Sequence, residues 1–260
     1  ELGLDVTDGA KWRYIRPKTF EESVGIAMKF CEMVRENKMI DPEAPLVWVF
    51  DSVASMIPHD KLYDKDGKRR DPGSYTMRDS LLLAKSCSQS YPALAQFAED
   101  YNMTVLLLNQ IRMKPVVMFG DPTTTPGGNA AEFYATNRIS ISRSMNKNKA
   151  KEVTGFKVKS KVVKNKISMP FKAAEFEVVY GKEGQCSIDL IATNLDYLVR
   201  LGAIEKASSG RIEFNGKTYA RATLIAQLAA SPTSVALLQK MVTDFKTAEP
   251  DAVAEETPEE

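Results

Sequence analysis

Two short apolar runs constrain the fold of this 260-residue chain more than any other feature. Leu46-Val47-Trp48-Val49-Phe50 follows Pro42 and Pro45 and stops at Asp51-Ser52. Residues 104–108, Thr-Val-Leu-Leu-Leu, form the second run and stop at Asn109-Gln110. A run of this length without alternation, bounded by breakers, suits a strand buried on both faces, as in the parallel sheet of an α/β domain. The pieces around these runs agree. Thr19-Phe20-Glu21-Glu22 is a capping-box pattern. It opens a predicted helix to about Asn37, with Ile26, Ala27, Phe30, Met33 and Val34 facing the core. Residues 77–91 and 92–100 predict two helices, separated at Pro92. Asn129 is placed to cap a short helix to Thr136. Residues 138–142 predict a third strand.

Residues 156–167 and 174–180 alternate with period two, as half-exposed antiparallel strands do. In the second of these, Phe176, Val178 and Tyr180 are expected inward, and Glu175 and Glu177 outward. The fold class is therefore α/β, with a mixed sheet. After Gly184 the pattern changes to a helix over residues 188–201, a hairpin at Asn215-Gly216, and two helices to about Lys246. This predicts a small α+β domain, followed by an acidic tail.

Composition narrows the class. A hydrophobic fraction of 43% and a charged fraction of 27% are ordinary for a soluble globular protein. No apolar run approaches the ~20 residues of a bilayer span, and no signal segment opens the chain. The expectation is a cytoplasmic protein with no membrane partner. Cys31, Cys87 and Cys186 lie far apart without metal-ligand spacing and read as reduced. His59, the single histidine, reads as a loop residue. Residues 138–172 hold eleven Lys or Arg and one acid, whereas residues 249–260 hold six acids and no base. The basic stripe suggests a polyanion partner, and the tail a disordered competitor for it; a solvated face and a frayed terminus fit the charges as well. Glu1 is not an initiator methionine, and the expectation is a fragment or processed product.

Several residues could carry chemistry. Asp51 ends a predicted strand, where ligands bind in open α/β sheets. Its carboxylate could hold a magnesium-bound water, or cap a neighbouring helix. Gln110 ends the second strand and leads into a long loop, so it could sense a phosphate oxygen and move that loop, or simply bond to backbone. Residues 112–128 combine cations (Arg112, Lys114), apolar side chains (Met113, Val116, Val117, Met118, Phe119) and glycines. Cations neutralise phosphates, apolar groups wedge between bases, and glycines let backbone N–H groups approach. An ordered loop folded on its own apolar residues is the other reading. Residues 58–75 predict another long exposed loop. Lys164 and Lys166 share one strand face by parity, and Lys159 and Lys161 the opposite one unless a bulge intervenes. They suit a phosphate clamp or a protected edge.

Taken together, the residues resemble a known family. Asp51-Ser52-Val53-Ala54, Asn109-Gln110-Ile111-Arg112-Met113-Lys114, Val117-Met118-Phe119-Gly120, Gly127-Gly128-Asn129-Ala130 and Phe133-Tyr134-Ala135 closely resemble the bacterial RecA recombinases. So do residues 161–167 (Lys-Val-Val-Lys-Asn-Lys-Ile), Pro170-Phe171-Lys172 and Ala174-Glu175-Phe176. The match is ordered and near gapless over residues 108–181 and continues more weakly to about Pro232.

The resemblance implies a RecA-like ATPase core over residues 1–183, with a mixed, mostly parallel sheet. Beyond it would lie a C-terminal α+β domain over residues 184–247 and an acidic tail over 248–260. It implies an ATP- and Mg2+-dependent enzyme that forms a homo-oligomeric filament on single-stranded DNA, pairs it with double-stranded DNA, and serves recombination, repair and the SOS response to DNA damage. Asp51 would be the Walker B carboxylate, with Ser52 beside the nucleotide, and Gln110 the switch glutamine. Residues 112–129 would be the second DNA-binding loop, with Arg112, Met113, Lys114, Pro115, Met118, Phe119, Gly127, Gly128 and Asn129 at the DNA. The stretch 60–78 would be the first loop. Lys85 and Ser88 would lie on the helix touching the primary strand. Lys164 and Lys166 would reach a neighbouring subunit's ATP, and Lys159 and Lys161 the incoming duplex.

The chain also departs from the family. Pro115 replaces an aliphatic residue, Pro126 a threonine and Glu132 a lysine, and the first loop is longer, with Lys68, Arg69 and Arg70. These features suggest a divergent, phage-type member. No G-x-x-x-x-G-K-[ST] phosphate loop occurs, and the family's catalytic glutamate is missing. The expectation is a chain inactive alone. The alternative is a naturally truncated DNA-binding or filament-capping module without its own ATP hydrolysis.

Overall fold

The structure, a computed structural model, describes residues 7, 9, 12–113, 122–148, 150–181, 185–207, 210–231 and 233–248. The described residues from Gly9 to Ala135 form one compact unit, and those from Thr136 onward belong to another.

In the first unit, Thr19 opens helix α1 (Phe20–Glu36), its Oγ1 accepting from the Glu22 N–H at 3.1 Å. The Glu22 carboxylate turns back to the Lys18 N–H at 2.6 Å. One of the donors a helix start leaves unpaired is thereby satisfied, and the residue before the cap is tied to the first turn. The buried stripe is Phe20, Val24, Ala27, Cys31 and Val34. Ala27 and Val34 were expected there, but Met33 is exposed and Phe30 only half-buried, tilted against Trp48 at 6.0 Å. The fully buried Phe20 and Cys31 rotate the core face by about one residue. At the far end, the Arg35 guanidinium donates to the carbonyls of Tyr101, Asp41, Pro42, Ala44 and Asn102 at 2.6–3.2 Å. One planar side chain thus satisfies five acceptors and ties the helix end to the turn that launches the next strand.

That strand is β1 (Leu46–Phe50), followed by a short helix α2 (His59–Leu62), a long helix α3 (Leu82–Asp100) and strand β2 (Met103–Leu107). Pro92 does not divide α3 into the two expected helices. Proline removes one intrahelical bond, but Tyr91 and Leu94 on its two sides are both buried in one core, which holds the halves in line. Strands β1 and β2 pair in parallel, from Leu46↔Met103 to Phe50↔Leu107. Trp48, Phe50, Val105 and Leu107 pack toward α1 and α3. The other face is not buried as the apolar runs implied: Val47 is 58% exposed, Val49 45%, Leu106 48% and Leu108 45%. The runs lack alternation because both faces are apolar, yet only one is covered among the described residues.

Beyond β2 come two-residue strands β3 (Arg112–Met113) and β4 (Thr123–Thr124), paired antiparallel, and helix α4 (Ala130–Tyr134). Asn129 precedes α4 as expected, but its side chain makes no capping bond.

The second unit is built on a four-stranded antiparallel sheet in the order β5 (Asn137–Lys147), β6 (Val153–Asn165), β7 (Ala173–Tyr180), β8 (Cys186–Ile188). It is followed by α5 (Leu190–Arg200), the hairpin β9 (Ile212–Phe214) and β10 (Lys217–Tyr219), α6 (Arg221–Ala229) and α7 (Ser234–Ala248). Asn215 and Gly216 turn the hairpin at φ 52° and 71°, the conformation an Asn-Gly pair tolerates. Leu195, Leu198, Ile204, Ile212, Leu224, Leu228 and Leu238 form a separate core. The boundary expected near residue 183 falls inside this unit. The chain is a mixed α/β protein; among the described strands only β1 and β2 pair in parallel.

On β7, Tyr180 is exposed, and Glu175 and Glu177 are not free outward groups. Lys157 reaches Glu175 at 2.7 Å, and Arg221 bridges Glu177 at 2.6 Å and Asp196 at 2.7 Å. The Lys157 ammonium holds the Glu175 carboxyl below its ordinary value. Helices α5 and α6 thus meet that face through ion pairs, which period-two alternation cannot distinguish from solvent.

Candidate functional site

The in-register pairing of β1 and β2 puts Asp51 and Leu108 at the same end of the strands. The Leu108 N–H donates to the Phe50 carbonyl at 3.1 Å, and the Val53 N–H to the Leu108 carbonyl at 2.9 Å. Asp51, Asn109 and Gln110 therefore emerge together, all exposed, with Ser52 half-buried beside them. Asn109 joins the strand end to the returning end of the loop. Its Oδ1 accepts from the Gln110 N–H at 2.9 Å, and its Nδ2 donates to the Pro126 carbonyl at 2.8 Å. Arg112 Nη2 donates to Gln110 Oε1 at 3.1 Å. Arg112 and Met113, both exposed, pair with Thr124 and Thr123. The second long loop thus rises from a closed stem. The sequence singled out Gln110 and passed over Asn109. The signal was its place: an amide between a buried strand and a loop can bond in both directions.

The far end of the stem rests on α3. Gly127 (φ +91°) and Gly128 (φ +68°) adopt left-handed backbone. A Cβ on Gly127 would stand 2.9 Å from Cys87 Sγ, and one on Gly128 2.9 Å from Ala84 Cβ. These glycines serve a close approach of backbone to helix. Burial pushes the Cys87 thiol and the Tyr91 hydroxyl up in pKa, so both stay neutral in this contact. On the same helix Lys85 and Ser88 are exposed; Lys85 lies 3.9 Å from Asp60 in the first loop. Asn129 is exposed beyond the glycines. Lys114, Pro115, Met118 and Phe119 lie outside the described residues, as does the acidic tail from Glu249.

The first loop is not an irregular polar stretch. His59 begins α2, its N–H donating to Glu21 Oε2 at 2.8 Å. An antiparallel bridge joins Tyr63 to Arg69. Asp79 holds the loop closed: its carboxylate accepts from Arg70 at 2.7 and 3.3 Å, from the Thr76 N–H at 2.6 Å, and from the Thr76 hydroxyl at 2.9 Å. The Arg70 hydrogen bond, then that of the Thr76 backbone, holds this carboxyl well below the usual carboxylate range.

In the second unit the lysines of β6 share one face. Lys157, Lys159 and Lys161 stand opposite Ser144, Ser142 and Ser140. A bulge then sets Val162 and Val163 against Ile139 alone, and Lys164 pairs with Arg138. Cross-strand partners point to the same side, so the extra residue returns Lys164 to the face of Lys161. The opposite-face expectation, conditional on no bulge, is corrected. Lys159 is 3.7 Å from Glu175. The Lys166 N–H donates to the Thr136 carbonyl at 3.0 Å, just past the strand.

The donor set can be tested against a nucleoside triphosphate with magnesium. An exposed carboxylate and a neutral amide at the carboxyl ends of parallel strands fit the water-bound metal and a terminal phosphate oxygen. The sequence G-x-x-x-x-G-K-[ST], which builds a backbone cradle for the phosphates, does not occur in the 260 residues. Asp51, Ser52 and Gln110 thus fit one side of such a ligand. No helix among the described residues is long and apolar enough to cross a membrane.

Comparison with known proteins identifies the family. The RecA N-terminal domain family matches residues 19–185. Protein RecA of Pseudomonas fluorescens (strain SBW25) is 34% identical over 257 residues, covering 98% of this chain and 66% of that protein. Protein RecA of Azoarcus sp. (strain BH72) is 36% identical over 199 residues, 76% of this chain and 52% of its own length. Protein RecA of Syntrophobacter fumaroxidans (strain DSM 10017 / MPOB) is 38% identical over 183 residues, 70% of this chain and 48% of its own length. The chain thus spans 66% of the Pseudomonas relative and about half of the other two.

Proposed function

This chain belongs to the RecA family, and on that premise we propose that it carries the switch and DNA-contacting side of an ATP-dependent recombinase. Such an enzyme polymerises on single-stranded DNA, pairs it with a homologous duplex and exchanges strands in recombination and repair. The observation that carries this reading is the shared end of β1 and β2, where Asp51 and Gln110 emerge together and Gln110 leads directly into a stem-closed loop. Asp51 would hold a magnesium-bound water, Ser52 would lie beside the nucleotide, and the Gln110 amide would donate to a terminal phosphate oxygen. Bound ATP with magnesium supplies the cleavable phosphate bond. Arg112, Met113, Lys114, Pro115, Met118, Phe119, Gly127, Gly128 and Asn129 contact the primary strand, with Lys85 and Ser88 on α3 beside them. Lys159 and Lys161 attract the incoming duplex, and Lys164 and Lys166 serve a nucleotide held by the adjacent filament subunit. The separate apolar core of residues 190–242 supports a C-terminal domain, which the acidic tail regulates.

A second reading rests on the stem-closed loop and the lysine-bearing face of β6 alone, without a nucleotide. It makes the chain a DNA-binding or filament-capping module without its own ATP hydrolysis. Fluorescence anisotropy of a labelled single-stranded oligonucleotide, with and without ATP and magnesium, separates the two. Tightening with ATP supports the recombinase. Salt-sensitive binding blind to ATP supports the module, and no binding at low salt overturns both.

A further inference from the structure

The proposed switch needs a physical link from Gln110 to the far end of the loop. Gln110 is on the near side of the stem, and Arg112, which donates to its side chain, is on that side too. From the hydrogen bonds around residue 109 we infer that Asn109 is the positioning residue that makes the two ends of the loop one joint. This rests on the functional reading above for its consequence, but not for its geometry.

The side-chain orientation of Asn109 is fixed by chemistry. The Gln110 N–H needs an acceptor and the Pro126 carbonyl needs a donor. One amide orientation satisfies both, at 2.9 and 2.8 Å, and the flipped one satisfies neither. Asn109 follows Leu108, whose N–H and carbonyl are both bonded to the β1 segment, so its backbone is held from behind. Pro126 precedes Gly127, which is buried against Val53 and Cys87. The chain of contact therefore runs from the strand end through one amide to Pro126, then to the glycines and α3. The β3–β4 ladder closes the same stem further out, at Arg112↔Thr124. Because the Asn109 amide plane bonds to both sides, a shift of the Gln110 backbone displaces Pro126 with it. The loop ends move together, and the cations at its base move with the switch.

Two near-isosteric substitutions separate the parts of the joint. Asn109→Asp keeps an acceptor for the Gln110 N–H and sets an oxygen against the Pro126 carbonyl. Asn109→Leu removes both bonds. Hydrogen–deuterium exchange on the full chain, together with single-stranded DNA anisotropy with and without magnesium and a non-hydrolysable ATP analogue, reads both. In Asn109→Asp the amides of Thr124, Gly127 and Gly128 exchange faster while that of Gln110 stays protected; in Asn109→Leu both groups exchange faster. The nucleotide-induced gain in DNA affinity falls about fivefold or more in both variants, with the thermal midpoint held near that of the unsubstituted chain. Unchanged exchange of Thr124, Gly127 and Gly128 in both variants overturns the joint, and so does a wild-type nucleotide gain in both. If the unsubstituted chain shows no nucleotide gain, the recombinase reading fails by itself, and the exchange pattern alone decides the joint.

Discussion

The two long loops of the first unit both read as exposed loops in the sequence, yet they are held by different forces. Residues 59–79 are folded by carboxylates. Asp64 accepts from the Asp66 and Lys68 N–H groups, Asp71 from Gly73, and Asp79 from Arg70 and Thr76. Tyr75 lies under Lys61 and Arg70, each 5.3 Å from its ring centre. The described parts of the second loop, residues 109–113 and 122–128, are held by backbone pairing, one neutral amide and two glycines seated on a helix. A run of mixed charge is thus not evidence of an irregular loop, because each acid can close a local turn. The two modes of order also respond differently: the first depends on ionised groups, and the second on fit.

The largest test of that contrast is Gly127→Ala. The new methyl meets Cys87 Sγ at 2.9 Å, in a buried position at φ +91°. The expected loss is about 1–3 kcal/mol, read as a lower urea midpoint. Adding Cys87→Ala removes the sulfur but leaves the backbone strain, so the double variant recovers part of the loss. Full additivity of the two changes would show that the glycine does not rest on this thiol. The first loop offers no matching contact: a methyl on Gly67 or Gly73 meets no atom closer than 3.5 Å, and only the left-handed backbone of Gly67 (φ +75°) would strain it.

Asp79→Asn is the next test. One carboxamide oxygen then replaces two carboxylate oxygens, so either the Arg70 bond at Oδ1 or the two Thr76 bonds at Oδ2 lose their acceptor, and the charge that pairs with Arg70 is gone. Tryptic cleavage after Lys65, Lys68 or Arg69 is expected to accelerate roughly tenfold under native conditions. Cleavage after Arg112 is expected to stay at the unsubstituted rate. Equal acceleration at both sites would mean that the loops share one source of order.

The elements of the fold were legible where a local rule decides them. Thr19, the apolar run at Leu46 and the Asn215-Gly216 turn each act through neighbours within four residues. What stayed hidden depends on distant partners. Pro92 reads as a helix break until Tyr91 and Leu94 are seen in one core. Lys164 reads as lying opposite Lys161 until the bulge at Val162 and Val163 is counted. Asp51 and Gln110 could be proposed from their strand ends. Asn109 required knowing that Pro126 returns to within a hydrogen bond of it, seventeen residues later.

Proton binding gives the smallest and sharpest separation of the loops. The folded Asp79 carboxyl lies below its ordinary value, chiefly through Arg70. For an acid whose folded value is depressed, the stabilising contribution is complete above the unfolded value, about 3.9 for Asp, and is lost as pH falls through the folded one. Since the Thr76 N–H donates straight to this carboxylate, its amide resonance reports the titration. Over a descent from about pH 5 it should hold steady through the ordinary Asp range and move only well below it, with the Arg70 amide, bonded to the Leu62 carbonyl, following as the first loop loosens. Gly127 and Gly128, whose anchors carry no ionised group, should keep their resonances until the whole unit unfolds. A Thr76 shift centred at the ordinary Asp value would mean that Arg70 does not hold the carboxylate. Glycine resonances that moved in step with Thr76 would mean that the second loop depends on charge as much as the first.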